Sequence, residues 1–192
     1  MRTTGFSEGI DCEELCLRNS HNQVKRLWVK IKDWSSKGHL VAGVCYRPND
    51  QEEAVDAAFL LQLQEVSCLR ALVLMGDFNH LDICWNTGMV GGRQSSRFLE
   101  SVKDNFLVQV IDGPTRGEDL LDLVLTNAEE SIRHAKIGDS LGAAVTSVIT
   151  IMVPFSVRFH LGLLKNCPRD RTCHGREPRA TKLSWKDSGA EQ

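Results

Sequence analysis

The chain has 192 residues, 42% hydrophobic and 25% charged, which suits one soluble globular domain with a sizeable core. Its 23 basic residues against 25 acidic ones leave no bulk charge that would argue for nucleic acid, although a basic groove can be local. No stretch approaches the roughly 18 apolar residues of a membrane-crossing helix, so no membrane partner is expected.

The first fifteen residues, MRTTGFSEGIDCEEL, carry acids where a secretory signal needs an apolar run. With seven cysteines, an odd number without a secretory signal, this predicts reduced thiols and an intracellular protein, in nucleus or cytoplasm. Charge is uneven along the chain. Ser156 to Gln192 holds eight Lys/Arg and four Asp/Glu, which leaves 15 against 21 for the rest.

Met1 to Ser20 has no clean period. Cys12 and Cys16, four apart, would share one face of a helix, but without a second pair they make a poor zinc signal. Arg26 to Lys32 alternates apolar Leu27, Val29 and Ile31 with polar partners, and Leu40 to Tyr46 follows a Ser-Ser-Lys-Gly turn, so the two segments predict a hairpin. Pro48 ends the second strand. Asp50 with Glu53 matches a capping box, and Val55, Phe59, Leu63 and Val66 recur at helical spacing over Glu52 to Ser67.

Ala71 to Met75 is a run of apolar residues without helical period, the pattern of a strand covered on both faces. It ends in Gly76, Asp77, Phe78, Asn79 and His80. In extended chain, Asp77 and Asn79 would project together from the carboxyl end of a buried strand, where open sheets place ligand crevices. A carboxylate beside an amide suits general acid work on an oxygen, with the amide orienting the attacker or a phosphoryl oxygen. The same residues also fit a plain Asp-Asn turn closing a core strand.

His80 to Gln94 predicts a long irregular loop around Trp85 and the Gly91-Gly92 pair. Ser95 or Ser96 would cap a second helix carrying Phe98, Leu99 and Val102. Leu107 to Ile111 is a short apolar run. Leu120 to Thr126 is a buried-looking strand with one acid, Asp122, which demands a partner because burying a lone carboxylate costs several kcal/mol. Strands are also expected at Ile132 to Ile137 and Val148 to Val153. Cys167, Cys173 and His174 match no strong zinc spacing. Asn166 to Gln192 lacks apolar periodicity and reads as disordered. Together these predict an α/β domain over 1–155, mostly β and without internal repeats, followed by a basic, disordered tail over 156–192.

Tyr46 to Asn49 (YRPN), Gly76 to His80 (GDFNH), Pro114 to Arg116 (PTR) and Leu120 to Asn127 (LLDLVLTN), in that order and spacing, resemble the endonuclease/exonuclease/phosphatase superfamily. More narrowly, they are similar to the apurinic-type endonuclease domain of non-LTR retrotransposons of the jockey and chicken-repeat kind. The resemblance runs from about Leu15 to Gly142. It implies a four-layer α/β/β/α sandwich, here incomplete, and a magnesium-dependent phosphodiesterase acting on DNA, with no small-molecule cofactor. By the resemblance, Tyr46 and Asn49 contact the phosphate, Asp77 protonates the leaving oxygen or prepares the nucleophile, and Asn79 holds the attacking water or the phosphate. Asp122 would orient a catalytic histidine.

Two parts of the resembled pattern have no counterpart. An amino-terminal segment with an Asn and a metal-binding Glu would need more chain than Met1 to Asp11 provides. A Ser-Asp-His motif should follow Gly138 to Gly142 (GDSLG), where Val145 and Thr146 replace the Asp and His, and no acid or histidine occurs between Asp139 and His160. Losing the base alone would cost roughly 10²- to 10⁴-fold, and the chain keeps no residue assigned as a metal ligand. The sequence therefore reads as a fragment of a retrotransposon-derived endonuclease domain, weak or inactive. The alternatives are a non-catalytic nucleic-acid-binding or interaction remnant, in which the Trp85 loop and basic tail do the work, and a translated pseudogene product without function.

Overall fold

The computed structural model describes residues 12–19, 24–32, 39–69, 71–115, 119–129, 132, 134–138, 145–153, 157–164 and 183–187. The chain divides into two compact units, Glu8–Ser131 and Ile132–Gln192 with Met1–Ser7.

The first unit opens on a short strand, β1 (Cys12–Glu14), which the sequence pattern had not marked. Cys12 therefore lies on a strand, not on a helical face shared with Cys16. β1 pairs with β2 (Lys25–Lys32), and β2 makes the expected antiparallel hairpin with β3 (His39–Tyr46). Gly43 stands opposite Trp28 because the indole lies across it: a Cβ at Gly43 would come within 2.1 Å of the ring.

A right-handed crossover is the usual route between parallel strands, and α1 (Glu53–Ser67) provides the connection to β4 (Ala71–Asp77), which runs parallel to β3. The helix buries Val55, Phe59, Leu63 and Val66, the residues at helical spacing. Its start differs from the expected capping box. Glu52 is the N-cap without a side-chain cap bond, and the first turn relies on acidic Glu53 and Asp56, which favour the positive end of the helix dipole.

The loop after β4 is more ordered than its glycines imply, since β5 (Ile83–Cys84) and β6 (Met89–Val90) form a small hairpin. α2 (Arg93–Asp104) starts three to four residues earlier than a Ser95 or Ser96 cap implies, with Gly92 as N-cap. Ser95 is inside the helix and its hydroxyl donates to Asp82. Asp82 also accepts the Gly92 N–H, so a residue from the preceding loop takes the capping task. The approach is close: a Cβ on Gly92 would lie 2.6 Å from the Asp82 Oδ2 and would displace that carboxylate.

β7 (Val108–Gln109) and β8 (Asp122–Thr126) complete a six-stranded mixed sheet in the order β1-β2-β3-β4-β8-β7. Both faces of its centre are buried. Val41, Cys45, Leu72, Leu74, Leu123 and Leu125 share a core with α1 and with Phe98, Leu99 and Val102 of α2. The alternate residues Leu40, Ala42, Val73, Met75 and Val124 are also buried, which explains why Ala71 to Met75 is apolar without alternation.

The second unit is an antiparallel sheet of β9 (His134–Gly138), β10 (Val145–Val153), β11 (Val157–Leu164) and β12 (Leu183–Asp187), in the order β12-β11-β10-β9. β11 and β12 fall within the stretch read from sequence as a tail. The pattern Cys167, Cys173 and His174 lies outside the described residues. The overall class is α/β. No helix among the described residues is long and apolar enough to cross a membrane.

Candidate functional site

Three of the residues singled out from sequence stand in one row. Tyr46, at the end of β3, is the parallel partner of Asp77, at the end of β4, and Asp77 is the antiparallel partner of Asp122, at the start of β8. Directly opposite residues on neighbouring strands share a face of the sheet. The row therefore brings a phenol and two carboxylates to one edge of one face. Asp122 is wholly buried and Asp77 is half-buried.

Local sequence explains the placement. Gly76 has φ +154°, and a Cβ there would meet the Cys45 carbonyl oxygen at 1.9 Å, so only glycine lets β4 close on β3 just before Asp77. Thr115 of the PTR stretch, buried itself, accepts the backbone N–H of Leu121 at 3.1 Å and of Asp122 at 3.0 Å, which fixes where β8 begins. At its other end, Asn127 Oδ1 accepts the Leu72 N–H at 2.8 Å and Thr126 donates to the Leu72 carbonyl at 2.7 Å. Much of the LLDLVLTN motif is thus register control for β4 against β8.

Asn79 does not continue the extended alternation with Asp77. Its φ is +50°, a left-handed turn, a conformation asparagine tolerates better than most residues. Its Nδ2 donates to the Arg47 carbonyl at 2.7 Å, which leaves the amide oxygen as the group that can orient a donor such as water. Asn49 is exposed in the turn after Pro48 and makes no hydrogen bond among the described residues. The structure thus gathers Tyr46, Asp77 and Asp122, ties Asn79 to the same turn through Arg47, and leaves Asn49 on the rim.

Arg47 is a residue that pattern reading passed over. It is 6% exposed, and its guanidinium makes a two-pronged contact with Asp56 of α1, both bonds 2.9 Å, and reaches Gln94 Oε1 at 3.3 Å. Its backbone N–H donates to the Asp77 carbonyl at 2.8 Å. One residue therefore links both helices to the ends of β3 and β4. A long-range pairing of this kind has no sequence signal beyond the presence of an arginine beside a proline.

His80 likewise has no role that the sequence pattern assigns. Its Nδ1 is 2.8 Å from Ser95 Oγ, and its ring stacks on Phe98 at 4.6 Å. Since the Ser95 hydroxyl donates to Asp82, the serine oxygen accepts from Nδ1–H, so the hydrogen bonds select that tautomer. Burial, then the nearby Arg47 cation, lowers the His80 pKa to about 4. Asp82 is held below its ordinary value, mainly by the Ser95 hydroxyl. Burial and the Asp56 carboxylate push the Cys45 thiol up to about 12, so it is unreactive at neutral pH.

Magnesium, which the resemblance implies, favours hard oxygen donors, often one or two carboxylates together with substrate phosphate. Asp77 and Asp122 have the right chemistry, but no group of three or more His, Cys, Asp or Glu among the described residues gathers to hold a metal ion. Val145 and Thr146, in place of the resembled Asp and His, begin β10, whose register shifts between Val145 and Ser147.

The fold is nuclease-like. It is similar to the endonuclease domain of TRAS1, a telomere-specific non-LTR retrotransposon, with a TM-score of 0.59 and 14% identity over 78% of this chain and 71% of that one. An endonuclease/exonuclease/phosphatase from Beutenbergia cavernae aligns over 86% of this chain and 56% of its own length, at 13% identity and a TM-score of 0.41. At 14% identity the likeness to the TRAS1 domain is one of fold alone. The sequence matches no protein-family model and no curated protein.

Proposed function

We propose that the chain is a diverged, retrotransposon-derived endonuclease domain whose reaction is metal-dependent hydrolysis of a DNA phosphodiester, and that its activity is weak. The observation that carries this reading is the row Tyr46, Asp77, Asp122 at one sheet edge, on a fold similar to a retrotransposon endonuclease domain. In it, Tyr46 and the exposed Asn49 bind phosphate oxygens, Asp77 passes a proton to the leaving oxygen, and the free amide oxygen of Asn79 orients the attacking water. Weakness follows from Val145 and Thr146: without an imidazole in that stretch, water loses its base, worth roughly 10²- to 10⁴-fold.

Binding of nucleic acid without cleavage is the second reading, favoured by the same substitution of apolar and hydroxyl side chains for the acid and base. Nicking of supercoiled plasmid, with and without magnesium, separates the two. Magnesium-dependent nicking that Asp77→Ala abolishes supports the hydrolase. Salt-sensitive DNA binding with no nicking above a buffer blank supports the binding module and overturns the hydrolase.

A further inference from the structure

The row does not stop at Tyr46. Lys25, the first residue of β2, is the antiparallel partner of Tyr46, so Lys25, Tyr46, Asp77 and Asp122 run side by side across four strands on one face. The Lys25 Nζ lies over the Tyr46 ring, 5.8 Å from its centroid, and the residue is exposed.

Among the described residues, three other cations of this unit are paired with carboxylates. The Arg47 guanidinium is paired with Asp56. Lys30 and Lys32, at the far end of the same strand, lie 3.5 and 3.8 Å from the Glu13 carboxylate. No carboxylate pairs with Lys25 among the described residues. This difference has a chemical consequence. An ion pair orients a lysine and cancels its charge, whereas an aromatic face orients it, by about 0.5–1 kcal/mol at an exposed site, and leaves the charge available. Two carboxylates in the same row repel an approaching anion, and a cation at the row's open end is what would let a phosphate settle beside the phenol.

We propose that Lys25 is a phosphate-contacting residue: its ammonium, held over the Tyr46 ring, takes a non-bridging oxygen of a nucleic-acid backbone laid along the Lys25–Tyr46 end of the row. This rests on the reading of the row as a phosphodiester site, and the partner is the sugar-phosphate backbone, not the bases.

The test is the salt dependence of duplex DNA binding by the full chain, followed by fluorescence anisotropy for the native protein and for Lys25→Ala, Lys25→Arg and Lys30→Ala, with circular dichroism to confirm folding. One phosphate contact contributes about 0.9 to the slope of log K against log salt, so Lys25→Ala should flatten the slope by about 1 and weaken binding about eightfold at 0.1 M salt. Lys25→Arg should restore both, and Lys30→Ala, on the opposite face, should change neither. An unchanged slope in Lys25→Ala, or an equal loss in Lys30→Ala, overturns the proposal, as does a native chain that binds no DNA at low salt. Plasmid nicking on the same samples separates the two readings. A flattened slope with no nicking removes only the hydrolase. Nicking that needs Asp77 but a slope indifferent to Lys25 removes only this contact.

Discussion

Asp77 and Asp122 stand directly opposite each other at the ends of β4 and β8, with side chains on one face and Asp122 wholly buried. Like charges in directly opposite positions destabilise a sheet, by an amount in the range of about 0.2–1 kcal/mol for cross-strand pairs. Asp77→Asn keeps the shape and removes one charge. It should therefore raise stability by a few tenths to about 1 kcal/mol in urea denaturation at pH 7, while removing any nicking. A lower midpoint would contradict like-charge repulsion as the dominant effect at this pair.

Arg47→Ala should be among the most damaging substitutions. It removes both 2.9 Å bonds to the Asp56 carboxylate, only 14% exposed, and leaves that charge with the Gln51 amide at 2.6 Å but no cation. Breaking a buried pair from one side costs about 3–5 kcal/mol. Removing both charges with apolar replacements, Arg47→Met with Asp56→Leu, should recover much of the loss. Urea midpoints for the single and double variants decide this, and a double variant no better than Arg47→Ala would contradict it.

The His80 ring gives a pH dependence of definite sign. Its folded pKa is about 4 against 6.5 unfolded, because of burial and the Arg47 cation, with Asp56 and Asp82 acting the other way. Between those values the unfolded chain binds a proton that the folded one does not, so stability rises with pH. The contribution is complete above pH 6.5 and is lost as pH falls to 4, about 3 kcal/mol in all. Stability measured at intervals from pH 4 to 7 should show this slope, and His80→Phe should flatten it.

Gly76→Ala should disrupt the end of the β3–β4 pair, since the new methyl would lie 1.9 Å from a backbone carbonyl that has no freedom to move. Gly43→Ala meets the buried Trp28 ring at 2.1 Å, a clash with a side chain and not with backbone, so it should cost about 1–3 kcal/mol, the range for overpacking a core. Hydrogen exchange would locate the first effect: amides at Arg47 and Phe78, next to Asp77, should lose protection in Gly76→Ala and keep it in Gly43→Ala.

The elements legible in the sequence were those with enough length to show a period or an unbroken apolar run: β2, β3, α1, β4 and β8. β1, β5, β6 and β7 are two or three residues long, too short to carry a pattern, and exist only because a neighbour supplies hydrogen bonds. The start of α2 is hidden from local sequence for a related reason. Its cap comes from Asp82, ten residues before Gly92, and no rule about local serines finds it.

For the candidate site, residue chemistry alone determined that Asp77, Asn79 and Asp122 were unusual, because acids and amides at the ends of apolar strands need a reason to be there. Tertiary structure decided which of them meet. Strand order and register placed Lys25, Tyr46, Asp77 and Asp122 in one row, turned Asn79 toward Arg47, and left Asn49 on the rim. Those relations depend on a chain of strand pairings that together span Lys25 to Asp122, and the free energy that selects one register is spread over the whole buried sheet, so no single stretch of sequence contains it.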